Sequence, residues 1–565
     1  MRLNPLAIAT AAAIPLTVTA FSAVAQGPVL EETIVTAQRR TESLQDAAIA
    51  VDVASAERLI RLGVTDATEL GKMSPSLTVA SGGGSNNIYF VRGVGNFAVN
   101  GYTDPAVAFI LDGVYIGRPS ATTASFLDLE RVEILKGPQG TLYGRNATAG
   151  AINVLPAKPV LGETSGNLTA GFGNYGSYEA SGAVNVDLGT DWAARFAAGM
   201  NKNDGYNDDD TAKTDNAAFR AQVYGDISDS VSARVSADYS TTDGNGNGPS
   251  FQGNYGFNLG MPSGNPNNVT GYNFTPSPSN VSDAHTGALT NAAAGYYGSL
   301  NTTPAFTTPA PMLPPDVNNT YWGVLADINI DLGFGDLVLL PAYRKAEIDT
   351  LFNTPGFQAA IIEENHEQTS LEARLSTETG PVDWIFGAYY YDEKVDGRNS
   401  FNQQSLQSTQ AINDSSTESY ALFTNATYNV TDQWRLVGGL RWTQDEKSFD
   451  ARADTFLDLC IRDLPVFPGG PEIPNCAGAP VIPAGLTVED TLAQLDPADL
   501  PVGPPGIGTG PVPYGQIPLF PGAPPTLRSN LLFINPAVVD RTNSNDEVTY
   551  RAAVEYDITF ESMLY

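Results

Sequence analysis

The chain has 565 residues, with 62 Asp and Glu against 30 Lys and Arg, a formal net charge of −32 and only two His. A field of that sign repels phosphate backbones and disfavours nucleic-acid binding, while 24 Tyr, 24 Phe and 5 Trp are too many for an acidic disordered polymer. Beyond the N-terminus no apolar run reaches the roughly 18 residues of a helical membrane span, which leaves a large, β-rich, turn-rich and exported protein.

Residues 1–25 carry Arg2 and an apolar stretch from Leu6 to Val24, closed by the small-x-small pattern Ala23-Val24-Ala25. This reads as a secretory signal cleaved near Gln26; Pro5 and Pro15 weaken the alternative of a membrane anchor. Residues 26–42 follow as a short segment. Within it Glu32-Thr33-Ile34-Val35-Thr36-Ala37 favours β structure and has no obvious packing partner in the sequence. Such a segment either pairs with the sheet edge of another protein or remains a disordered tail.

Residues 43–160 read as a small α+β domain. Helical signals run from Ser43 to Thr78, with Thr65 or Asp66 placed to cap a second helix. Short strands follow at 88–92, 107–112 and 132–136. Gly137-Pro138-Gln139-Gly140 and Gly144-Arg145-Asn146 are tight turns, as is the bend at Gly93. They are not a nucleotide loop, because neither GKS/T nor GxGxxG leads a strand into a helix.

From 161 to 565 the pattern has period two. It predicts strands at 165–173, 177–188, 191–202, 217–227, 231–242, 320–331, 336–349, 366–378, 382–394, 416–430, 433–448 and 547–559, with another beginning at 561. Very short turns alternate with long connections at 203–216, 243–319, 350–365, 395–415 and 449–546; only the first hairpin breaks the rule. That alternation is the signature of a transmembrane β-barrel. Trp192, Trp384 and Trp434 stand at strand starts beside short turns, where an aromatic girdle belongs. Sixteen of the 39 prolines fall between Pro465 and Pro525, so that stretch cannot join a ladder. Cys460 and Cys476 flank part of it and are placed to close one loop as a disulfide in an oxidising compartment. His285 and His366 are isolated and read as surface or loop residues, and Asp208-Asp209-Asp210 reads as a solvated loop in preference to a cation site. No catalytic set and no metal-ligand spacing is legible, so no enzyme activity, metal or cofactor is expected.

Residues 31–160 resemble the plug of a TonB-dependent outer-membrane receptor. Residues 31–37 are similar to the TonB box, and IYFVRGVG (88–95) to a plug strand and turn. DPAVAFILDGVYIGR (104–118) is similar to the following hairpin, and LERVEILKGPQGTLYGRNATAGAINV (129–154) is the most specific stretch. Ala149 stands where many members carry Gly. The resemblance implies a mainly β fold, a transmembrane antiparallel barrel with an N-terminal α+β plug in the outer membrane of a Gram-negative bacterium. It implies TonB as partner through Glu32, Thr33, Ile34, Val35, Thr36 and Ala37. It also implies active import, with a ferric siderophore as the leading ligand and iron only as cargo; vitamin B12, glycans and aromatic compounds are alternatives. A passive porin or adhesin is the competing class. Plug arginines and barrel glutamates are expected to hold the plug. Arg92 and Arg145 are the plug candidates. Glu372 and Arg374 alternate with Leu371, Ala373 and Leu375, so they should face the lumen. The family closes its barrel with 22 strands, against 12 or 13 legible here, so a chain truncated at its C-terminus is expected.

Overall fold

A computed structural model describes residues 34–36, 42–44, 47–81, 84–97, 102–122, 126–246, 248, 250, 252–259, 269–283, 285–300, 313–354, 357–403, 406–460, 487–488, 514–518, 528–559 and 562–565. The first unit is built on a five-stranded sheet in the order Val51–Ser55, Leu129–Lys136, Gly150–Pro156, Val107–Leu111 and Val114–Ile116. Only the pairing of Val107–Leu111 with Gly150–Pro156 is parallel. Val107–Leu111 (VAFIL) is buried along its whole length, as expected for an apolar run without alternation.

The helix Ala56–Leu62 opens on Ser55, whose hydroxyl accepts from Arg58 N, and closes on Gly63 in the left-handed region (φ 62°). The expected second helix is a 3-10 turn, Ala67–Lys72, and Asp66 caps it by accepting from Thr68 N at 2.8 Å. Leu59, Leu70, Tyr89, Phe109, Ile134 and Ile152 meet in the core beneath. Each contributes about 1.5–3 kcal/mol through burial.

The second unit is an antiparallel sheet of fourteen strands. Twelve are long and follow chain order: Ser165–Phe172, Tyr178–Asp187, Trp192–Asn203, Thr214–Ser228, Val231–Gly244, Asp316–Asp331, Asp336–Thr354, Phe357–Thr379, Val382–Gln403, Leu406–Asn429, Trp434–Cys460 and Arg528–Thr559. Two short strands, Tyr514–Pro518 and Ser562–Leu564, pair with the last of these. Among the described residues Ser165–Phe172 pairs only with Tyr178–Asp187, so the described sheet is an open arc.

All twelve strands expected from period two are present; the first three match their expected lengths to within a residue or two, and the later ones extend further at their outer ends. Residues 350–365, 395–415 and both ends of 449–546, expected as loops, are ladder: Thr350 pairs with Ile362, Arg398 with Ala411 and Asp450 with Asp540, and Tyr514–Pro518 joins the sheet from within the proline-rich stretch expected to stay out of it. The segment 243–319 holds a hairpin, Gly253–Leu259 with Val269–Pro276, and two helices, Ser279–Ser282 and Asn291–Leu300.

The outer face explains the strand pattern. Trp434 packs on Tyr556 at 4.5 Å beside the short turns. Further up stand Trp322 with Tyr343 and Tyr390 with Tyr420, each pair 5.2 Å apart. Trp434 and Trp442 are eight residues apart on one strand, which at a barrel tilt puts the two belts about 20 Å apart. Leu436 and Leu440 lie exposed between them. The outward positions thus form an apolar band rimmed by aromatics. No helix among the described residues is long and apolar enough to cross a membrane.

Candidate functional site: the interface between plug and barrel wall

The inward positions of the wall are polar and face the first unit. Asp112 and Gly113 form the turn between Val107–Leu111 and Val114–Ile116, with φ of 54° and 85°. An Asp-Gly pair suits such a hairpin turn, and here it aims the carboxylate at the wall. Arg234 meets it with both Nη atoms at 2.8 Å. Asp128, at φ 52°, is gripped in the same forked way by Arg195 at 2.6 Å through Nε and Nη2. Arg118 runs the other way: its Nε donates to Glu393 at 2.9 Å, its Nη2 is paired with the same carboxylate, and both side chains are almost wholly buried.

Asp104 sits between three cations, 3.5 Å from Arg118, 3.2 Å from Lys447 and 3.9 Å from Arg145. Burial pushes the Asp112 and Asp104 carboxyls up, but the neighbouring cations outweigh it, Arg234 for the first and Arg118 with Lys447 for the second. Both stay below the usual carboxylate range.

Neutral contacts fill the gaps. Gln368 accepts from Gly117 N at 3.1 Å and donates to Tyr115 O at 2.6 Å. Gln222 donates to Ala157 O at 2.7 Å, and Arg551 to Ala48 O at 2.8 Å. Tyr102 donates to Gln410 at 2.7 Å and packs on Phe449 at 5.0 Å.

The residues expected to make this interface are only partly those that do. Arg145 is buried, with its guanidinium 5.2 Å from the centre of the Tyr391 ring. Arg92 is instead exposed, in a left-handed turn with Gly93 (φ 52° and 77°), where its N–H donates to Ser76 O. Glu372 and Arg374 do face the lumen, and they pair with each other at 2.6 Å. Two of the three buried links carry the acid on the plug and the arginine on the wall, the reverse of the expected polarity. The legible signals were Asp-Gly at 112–113 and the lone arginines at inward positions of period-two strands.

Gly137 and Gly144 are left-handed, at φ 91° and 80°, and Pro138 and Gly140 lie between them. The left-handed φ of Gly144 favours glycine, and a Cβ there would also push the Arg441 guanidinium aside, 2.6 Å away. His366 is not a loop residue. It is buried on the luminal wall with Nε2 2.8 Å from Glu364. Asp208 and Asp210 are exposed, as expected of a solvated loop, whereas Asp209 is half-buried and accepts from Thr211 N at 3.1 Å and Leu289 N at 2.9 Å. Cys460 ends a strand, and Cys476 lies outside the described residues.

The N-terminal segment has the packing partner that its sequence did not reveal. Ile34–Val35 pairs antiparallel with Glu42–Ser43, and Val35 is fully buried beside Leu135, Leu142 and Tyr143. Thr36 N–H donates to Glu133 Oε1 at 2.9 Å, and the Tyr143 hydroxyl donates to Thr36 O at 3.3 Å. The wholly buried Glu133 also accepts from Arg131 at 2.8 Å and Asn153 at 3.0 Å. Glu32, Thr33 and Ala37 lie outside the described residues.

A mixed-sheet plug pinned by buried ion pairs to the polar face of an antiparallel β wall is the architecture of a plugged barrel. Comparison with known proteins agrees. The family model described as the TonB-dependent receptor plug domain matches residues 43–151, and that described as the TonB-dependent receptor-like β-barrel matches 341–565. The chain belongs to the TonB-dependent receptor family, whose barrels are outer-membrane proteins serving transport.

It is 34% identical over 134 residues to the pesticin receptor of Yersinia pestis, covering 22% of this chain and 19% of that protein. It is 27% identical over 197 residues to the vitamin B12 transporter of Photobacterium profundum, covering 32% and 31%. The fold is shared with the ferric yersiniabactin uptake receptor of Yersinia pestis (TM-score 0.60, 16% identity, 91% of this chain and 62% of that one). It is likewise shared with the ferric-catecholate import receptor of Escherichia coli K12 (0.57, 15%, 92% and 69%). The alignments thus span less than a third of these two curated relatives.

Proposed function

We propose that the chain acts in TonB-dependent active import across the outer membrane, with a ferric siderophore as cargo. The observation that carries this reading is that one plug is held by two different partners. The wall grips it through buried ion pairs, and residues 34–36 lie docked on the same sheet. A ligand bound on the outer side shifts the population towards an undocked segment. TonB then pairs with residues 32–37 edge to edge and transmits work from the inner-membrane proton gradient, the plug moves, and the cargo passes. In this reading residues 1–25 are the signal, 26–42 the TonB segment, 43–160 the plug and 161–565 barrel.

The ferric-siderophore receptors that share the fold support iron as cargo. The alignment with a vitamin B12 transporter supports cobalamin as the second reading. The test is uptake of iron-loaded siderophore by cells carrying the intact receptor or one lacking residues 32–37, with and without a protonophore. Loss of uptake in both treatments is expected; undiminished flux would make the protein a passive pore. Receptor abundance that fails to rise under iron chelation would move cobalamin ahead of iron.

A further inference from the structure

We infer that the cavity between the plug helix Ala56–Leu62 and the wall is a binding site for a neutral mono- or disaccharide. It holds about 370 Å³, within the range of small-molecule sites, about 300–1,000 Å³. Strand register builds its wall side in two rows, each crossing four neighbouring strands. Ser181 pairs with Gly199, Gly199 with Ala218 and Ala218 with Ser240. In the next row towards the outer loops Glu179 pairs with Asn201, Asn201 with Asn216 and Asn216 with Thr242. The small residues at the centre of the first row leave the hollow, and the second row rims it with hydrogen-bonding groups.

The floor is closed one row below, where Leu127 packs on Ala183 and Ala197 and its carbonyl accepts from Arg220. The plug side is apolar: Ile60, 68% exposed, and Phe126 line the space. The wall side carries polar atoms that nothing in the fold uses. Ser240 is 4% exposed and lines the cavity, yet its Oγ has no hydrogen-bond partner among the described residues. Asn216 Oδ1, diagonal to it on the adjacent strand, has none either. Buried groups of this kind are satisfied by a ligand or by ordered water.

Charge narrows the ligand. Among the described residues no Lys, Arg or His lines the cavity, and its carboxylates are Asp66, Asp128 and Glu179. Asp66 caps its helical turn and Asp128 is forked onto Arg195, while Glu179 stands at the rim. An anionic ligand would meet a carboxylate and no compensating cation. A sugar ring suits both sides: its C–H face covers Ile60 and Phe126, and its hydroxyls donate to Ser240 Oγ, Asn216 Oδ1 and the Glu179 carboxylate. The site does not depend on iron as cargo, because it is defined by the hollow in the wall and by the plug helix that faces it.

The test is a saturation-transfer NMR titration of the full chain in phospholipid nanodiscs with two probes, methyl β-glucoside and methyl β-glucuronide, which differ only by a carboxylate. The glucoside should bind saturably, and the glucuronide about tenfold more weakly or worse. Ser240→Ala and Asn216→Ala should each weaken glucoside binding about two- to tenfold, the worth of one neutral hydrogen bond. Gly199→Val should abolish it by filling the hollow, since a Cβ there already stands 3.0 Å from Leu127 Cδ1. Ser240→Ala removes a hydroxyl that leaves no partner behind, so its result does not depend on the fold tolerating Gly199→Val. Absence of saturable glucoside binding overturns the inference. So does binding that the Ser240→Ala, Asn216→Ala double variant leaves unchanged, or equal affinity for the two probes.

Discussion

Removing the Glu393 carboxylate by Glu393→Ala isolates what one buried link does for plug retention. Arg118 and Glu393 have side chains exposed by 1% and 3%. Deleting one partner of such a pair leaves a dry charge, at a cost of about 3–5 kcal/mol. Asp104 lies 3.5 Å from Arg118 and keeps part of the compensation, but Lys447 competes for it. The low end, about 3 kcal/mol, is therefore expected, equivalent to roughly 150-fold in an opening constant. Hydrogen exchange of the amides in Val107–Leu111 and Val114–Ile116 reads that constant directly. The control is the double replacement Arg118→Met with Glu393→Leu, which removes both charges and should recover most of the protection. A change under tenfold in the single variant would refute the reasoning, and so would a double variant as labile as the single.

Acid should loosen the plug with a defined sign. The Asp112 carboxyl is held below its unfolded value of about 3.9, so its link to Arg234 contributes fully above that pH and is lost as the pH falls through the lower folded value. Protection of the Val107–Ile116 hairpin should therefore drop steeply below about pH 4, and Asp112→Asn should lower the plateau at neutral pH and flatten the fall. At the outer loops a Cβ on Gly287 would collide with the Asp209 carboxylate. Gly287→Ala should release Leu289 N and Thr211 from Asp209, costing about 1–3 kcal/mol locally. Limited proteolysis should then cleave 243–319 at least tenfold faster while the barrel strands stay intact.

The mid-membrane part of each strand was legible in the sequence because lipid on one side and a polar plug on the other enforce strict alternation. Above the upper aromatic belt both faces meet polar surroundings, alternation fades, and the long hairpins at 350–365 and 395–415 looked like loops. The N-terminal segment was legible as β-favouring, but its docking was not, since it depends on Glu133, almost a hundred residues away. Arg92 stands beside a glycine in a strand-turn motif, which marks a tight bend as readily as a charge partner. The turn at Asp112-Gly113 was legible, but the links of Asp112 and Asp128 to the wall were not, since each depends on a left-handed backbone and on an arginine far along the chain. Pairing across two units cannot be read from either alone.

The division of chemistry between core and interface bears on how such a plug could move. The plug's own core is apolar and closed over Phe109, Ile134 and Ile152, whereas the wall meets the plug through guanidinium, carboxylate, amide and hydroxyl groups beside small apolar contacts such as Val114 on Leu325 and Leu127 on Ala183. An apolar interface would lose its burial in water at about 25 cal/mol per Å² with nothing to offset it. A polar one exchanges protein partners for water as soon as water enters, and the desolvation cost of the ions is returned. The pairs therefore hold firmly while the interface is dry and give way cooperatively once it is wet.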